Sequence, residues 1–225
     1  PERQGGRFIA SHIRIQEGGP VPDYVHYHKV RFQMIFCYKG WVKVLYEDQG
    51  PPMLMQAGDC FLQPPQMRHR VLESSAGCEV VEIGCPAEHE TLVDHELELP
   101  TPNLRPTRDF GGQRFIFHEA AKTPWGAWRE DGFEARDIGI EAATDGLAGV
   151  RVARATVAHA SYTTNRDAEF QFGFVLTGSA QLECGGVREL LGPADSFVIP
   201  GGARHGLSQC SNDFELLDIT LPAAI

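Results

Sequence analysis

No stretch of this 225-residue sequence stays apolar for anything near the roughly 20 residues that a membrane helix needs. Its apolar runs are short, such as Val80-Val81 within Glu79 to Ile83 and Phe197 to Pro200, so a membrane partner is not expected. Basic charge is sparse too. Twenty Lys and Arg stand against 30 Asp and Glu, a formal net charge of −10, and no basic cluster breaks the pattern. Nucleic-acid and anionic-membrane surfaces depend on such clusters, so neither partner is expected. The first residues lack the basic and apolar regions of a signal peptide. None of the six cysteines (Cys37, Cys60, Cys78, Cys85, Cys184, Cys210) forms a C-x-x-C pair. With 42% apolar residues the chain can build a core without disulfide staples. Thiols in a reducing cytoplasm are the expectation, with Cys78 and Cys85 the one pair near enough in sequence to bridge.

What the sequence does have is an internal repeat, which for this length means two related domains and not a solenoid. Gly40 opens G-W-V-K-V-L-Y-E, and Gly178 opens G-S-A-Q-L-E-C-G. Asp59 to His69 (D-C-F-L-Q-P-P-Q-M-R-H) aligns with Asp195 to His205 (D-S-F-V-I-P-G-G-A-R-H), and Glu79 to Pro86 aligns with Glu215 to Pro222. The offset is 138 at the first glycine and 136 thereafter, so the second copy is two residues shorter in its middle hairpin. Alternation at Val42, Val44 and Tyr46, and β-branched or aromatic enrichment at Phe8 to Ile15, Gln33 to Tyr38 and Val150 to Val157, predict strands. Gly and Pro punctuate them at short intervals. Many short strands of this kind predict an all-β sandwich or jelly roll. Pro100, Pro102 and Pro106 mark a linker, and Phe115 to Trp128 reads as a strand and short helix between the two copies.

Three histidines and a glutamine carry the chemical signal. His26 and His28 are two residues apart, so on a strand both project to one face. Gln33 lies an odd number of positions further, so a turn or bulge within residues 29–32 must restore it to that face. His69 arrives much later, after Pro64-Pro65. Neutral imidazoles suit Fe, Ni, Cu and Zn, and a side-chain oxygen completes such a set. One divalent metal on His26, His28, Gln33 and His69 is therefore expected.

These motifs resemble the cupin family, whose first motif runs roughly G-x5-H-x-H-x(3–4)-E-x6-G and whose second runs G-x5-P-x-G-x2-H. Here H-Y-H-K-V-R-F-Q (His26 to Gln33) is followed after six residues by Gly40, and Gly58 to His69 matches the second motif. The resemblance covers both halves. It departs at Gln33, where the family has Glu, and at Gln66, where the family has Gly. It implies two tandem double-stranded β-helix (jelly-roll) barrels: residues 1–99 with the metal site, a bridging segment at 100–146, and residues 147–225 with a degenerate site. A homodimer is also implied.

An amide ligand neither neutralises the metal nor serves as a base. The centre would keep its charge and favour an anionic oxygen such as an enolate, phenolate or carboxylate. In the second copy Thr164, Arg166, Gln171 and His205 stand opposite His26, His28, Gln33 and His69, and the Arg opposes a cation. Arg166 pairs either with an anion or with an acidic neighbour. Cys37 and His12 are expected in packing or hydrogen-bonded roles. His89, His95, His118 and His159 have no spaced partners, and Trp125 and Trp128 are expected to pack between barrels. The expected function is an oxygenase with iron, or with Ni, Zn or Mn, acting on a small organic anion. The alternatives are a non-redox metal-dependent isomerase, cyclase or lyase, and a non-catalytic ligand-binding module.

Overall fold

The structure, a computed structural model, describes residues 6–223. Among the described residues it is nearly all β, with one single-turn α-helix at Ile140–Ala143 and a 3-10 turn at Ala120–Lys122. No helix among the described residues is long and apolar enough to cross a membrane. The chain divides into two compact units, residues 1–120 and 121–225.

The first unit folds from two antiparallel sheets. One runs, in spatial order, Ile9–Ile15, Cys78–Cys85, Phe32–Lys39, Cys60–Leu62 and Ile116–His118. The other runs Thr91–Val93, His26–His28, His69–Ser74, Trp41–Tyr46 and Met53–Gln56, with Gly19–Pro20 added beside His69–Ser74. The inward faces carry Val42, Val44, Met55, Phe61, Met67 and Val80, all buried. Burying a side chain of this size removes about 1.5–3 kcal/mol of unfavourable hydration.

The second unit repeats the plan. One sheet runs Gly126–Ala127, Phe133–Asp137, Gly149–Ala155, Glu215–Leu221, Phe170–Thr177 and Ser196–Val198; the other runs Tyr162–Asn165, Arg204–Ser208, Ala180–Cys184 and Val187–Leu191. The expected bridging stretch thus contributes strands to both units: Ile116–His118 pairs with Cys60–Leu62 in the first, and Phe133–Asp137 pairs with Gly149–Ala155 in the second. Trp128 packs edge-on against Phe133 and Tyr162 inside the second unit, and Trp125 lies under Arg136 and Arg154 there.

The sequence repeat is matched in backbone detail. Gly40 and Gly178 both adopt left-handed φ, 71° and 70°, at the same hairpin. A Cβ at either position would collide with a serine Oγ, of Ser75 or Ser211. Each serine accepts a hydrogen bond from the backbone N–H after its glycine, Trp41 at 3.0 Å and Ser179 at 2.9 Å. The strand before each glycine carries a register shift at the equivalent place, Cys37/Lys39 and Val175/Thr177. All six cysteines are free thiols.

Candidate metal centre

The break expected between His28 and Gln33 is a change of sheet. His26–His28 is in one sheet of the first unit and Phe32–Lys39 is in the other. Lys29 to Arg31 make the crossing, tied by the Lys29 N–H to the Glu90 carbonyl (2.9 Å) and the Arg31 N–H to the Cys85 carbonyl (2.6 Å). Parity along one strand therefore no longer applies, and Gln33 faces the histidines across the barrel.

His26 and His69 are direct cross-strand partners, and His69 is also opposite Tyr46. One ring nitrogen from each of His26, His28 and His69 lies within 4.8 Å of the others. Their Nδ1 atoms are already engaged. That of His26 donates to the Tyr24 carbonyl (2.8 Å), and that of His69 donates to the Met67 carbonyl (3.1 Å). The Nδ1 of His28 pairs with the Thr91 hydroxyl (2.8 Å). A carbonyl can only accept, so His26 and His69 are held as Nδ1–H tautomers with Nε2 left unprotonated. Such anchoring of the non-ligating nitrogen is what metal-binding imidazoles require. Burial, reinforced by the neighbouring His26, pushes the His28 pKa down to about 4 and the His69 pKa down to about 3. Both rings therefore stay neutral, as ligands must be.

Gln33 is 2% exposed and lies in the same cavity. Its Nε2 donates to Glu82 Oε1 at 2.7 Å, which turns its carbonyl oxygen the other way. That oxygen accepts from Gln63 Nε2 at 3.3 Å, and the same Gln63 nitrogen is 3.3 Å from His69 Nε2. Gln63 is oriented in turn by the Tyr46 hydroxyl, which donates to its Oε1 at 2.6 Å. A directional chain thus runs from Tyr46 through Gln63 and Gln33 to Glu82. The residues fit a divalent ion: three imidazoles converge, and an amide oxygen is aimed into the same space.

Sequence reasoning missed three members of this chain. Tyr46 shares the inward parity of Val42 and Val44, Glu82 shares that of Val80, and Gln63 immediately precedes Pro64-Pro65. A carboxylate at an inward position of an apolar strand was the readable signal. His89 was also missed. Its ring stands 5.4 Å from His28, edge to face, with Nδ1 held by the Pro86 carbonyl at 3.0 Å. Cys37 is core packing: burial pushes its thiol up to about 12, and Sγ donates weakly to the carbonyls of Lys39 and Gly40. His12 pairs with Glu79 at 2.6 Å.

In the second unit, Thr164 and His205 are cross-strand partners, and Gln171 Nε2 is 2.8 Å from His205 Nε2. Arg166, only 4% exposed, donates to Glu130 at 2.6 Å, so the acidic-neighbour reading of this arginine is the one realised. Among the described residues, the cluster of His26, His28 and His69 has no counterpart there. We expect a His205→Ala variant to keep the metal content of the parent by elemental analysis. A drop to half would show a second ion in this unit.

No protein-family model matches the chain, and no curated protein matches its sequence. Solved structures do match. A salicylate 1,2-dioxygenase from Pseudaminobacter salicylatoxidans aligns with TM-score 0.73 and 17% identity, over 96% of this chain and 71% of that one. An oxalate decarboxylase from Lactobacillus farciminis, solved as a formate complex, aligns with TM-score 0.71 and 12% identity, over 98% and 78%. One from Bacillus subtilis aligns with TM-score 0.71 and 10% identity, over 98% and 70%. At these identities the shared property is the fold, a cupin-type β-barrel architecture.

Proposed function

We propose that this chain is a tandem two-barrel cupin metalloenzyme whose first barrel holds one divalent ion on His26, His28, His69 and the Gln33 carbonyl oxygen, and that it is an oxygenase acting on a small organic anion. The observation that carries this reading is the convergence of three imidazoles, each with Nδ1 tied back, on the wall of a cavity of about 300 Å³. Iron is the first choice of metal and Ni, Zn or Mn the others, since histidine nitrogen with one oxygen suits several. A bound ion supplies Lewis acidity and, as Fe(II), a place for dioxygen beside the substrate.

The chain's own residues do the rest. Tyr46 and Gln63 fix the polar end of the cavity, and Gln33 presents its oxygen because Glu82 takes its N–H. The apolar wall, including Ile13, Val44 and Val71, gives the body of a substrate an apolar surface to rest against. The relatives in fold named above are a dioxygenase and decarboxylases of small organic acids, which supports a small organic anion bound through oxygen. Six free thiols suit a reducing cytoplasm, and a homodimer is part of the proposal.

An oxygen electrode tests the reading. Iron-loaded protein offered enolisable and phenolic compounds should consume dioxygen in step with substrate loss, and a chelator should stop both. Turnover that proceeds equally under argon would replace the oxygenase with a non-redox isomerase, cyclase or lyase.

A further inference from the structure

The cavity beside the histidines has an uneven character. Away from them its wall is Ile13, Ile15, Ile35, Val42, Val71 and Val80. Neither Lys nor Arg is among its lining residues, and the one acidic side chain there is Glu82. One oxygen of Glu82 accepts from Gln33; among the described residues nothing donates to the other. The chamber therefore offers a metal-directed end, an apolar body and one carboxylate.

Resting on the metal centre proposed above, we infer that the substrate is an apolar carbonyl compound with one adjacent hydroxyl, an enol or phenol, and that the site discriminates against a ligand bearing a carboxylate. The hydroxyl and carbonyl oxygens face the histidines, and the apolar body of the ligand lies along Ile13, Ile15 and Ile35. The anionic oxygen of the substrate is the one the centre itself holds. A carboxylate finds no cation in the wall, loses its hydration among Ile and Val side chains, and is repelled by Glu82. Carboxylate-recognising sites ordinarily supply an arginine fork, and the cavity lining contains none.

Two nearly isosteric probes decide the matter: 2′-hydroxyacetophenone and salicylate, which differ by a methyl ketone in place of a carboxylate. Their binding to Co(II)-loaded protein is measured by calorimetry and by the cobalt absorption spectrum, with chelated protein as reference. The ketone is expected to bind at least tenfold more tightly than salicylate. Glu82→Gln, which keeps size and hydrogen bonding but removes the charge, should narrow that gap through a gain by salicylate. Metal-dependent binding with salicylate equal or tighter overturns the inference and leaves the metal centre standing. A gap unchanged in Glu82→Gln also overturns it. Binding of both probes that ignores the chelator overturns the metal centre, and the inference with it. The wild-type ranking needs no variant, so a misfolded Glu82→Gln does not shelter the idea.

Discussion

Replacing His26 and His28 together with alanine is expected to take bound divalent metal from about one ion per chain to background, measured by elemental analysis after loading and desalting. Two of three converging nitrogens disappear, and His69 alone cannot hold an ion against buffer. Disturbing only the groups that anchor ligands typically costs 10–100-fold in affinity, so deleting two ligands costs far more. Both side chains sit at the edge of the barrel interior and are partly exposed, so the core should survive their truncation. A full equivalent of metal retained by the folded variant would place the ion elsewhere.

Gln33→Glu should produce the second large effect, in stability. The new carboxylate would lie where the Gln33 amide now donates to Glu82 at 2.7 Å. Two unit charges 4 Å apart repel by about 4 kcal/mol at the effective dielectric of a protein site. Metal-free Gln33→Glu should therefore melt well below the parent at neutral pH. The sign with pH follows from the repulsion, which raises a carboxyl pKa in the folded state above its unfolded value. The folded state then binds more protons, so the variant regains stability as pH falls and loses it as pH rises through the raised pKa. A divalent ion neutralises the pair, so metal should raise the melting temperature of Gln33→Glu more than that of the parent. Equal metal-free melting temperatures would mean that the Gln33–Glu82 contact does not persist.

That contact also changes the electrostatic reading. Four neutral ligands suggested a centre retaining its whole charge. Glu82 sets a carboxylate directly behind Gln33, the fourth ligand of the proposed centre, so the carboxylate that the cupin resemblance places at Gln33 has in effect stepped back. This was hard to see in sequence, because Gln33 and Glu82 meet only through the pairing of Phe32–Lys39 with Cys78–Cys85. The histidines were legible for the opposite reason. The two-residue spacing of His26 and His28 fixes a common face, and the spacing to Gly40 and the Pro-preceded His69 recur in a recognisable pattern. His89 escaped because the loop after Cys78–Cys85, not any periodicity, carries it back to His28. The stretch 100–146 hid its strands differently. In Phe133–Asp137 the buried Phe133 and Ala135 alternate with charged neighbours, a short signal among prolines and acidic residues. Ile116–His118 exists as a strand only because Cys60–Leu62 is there to pair with it.

The division of the first barrel into two sheets has a consequence for how such a protein can change. All three histidines belong to one sheet, while Gln33, Ile13, Ile15, Ile35, Val80 and Glu82 belong to the facing one. The histidine cluster and a large part of the apolar wall are thus inherited through different strands, with Gln33 the one proposed ligand on the facing side. Substitution at Ile13, Ile15, Ile35 or Val80 can re-tailor the chamber without touching any of the three histidines, so one lineage can vary what the chamber admits while the histidine cluster stays intact.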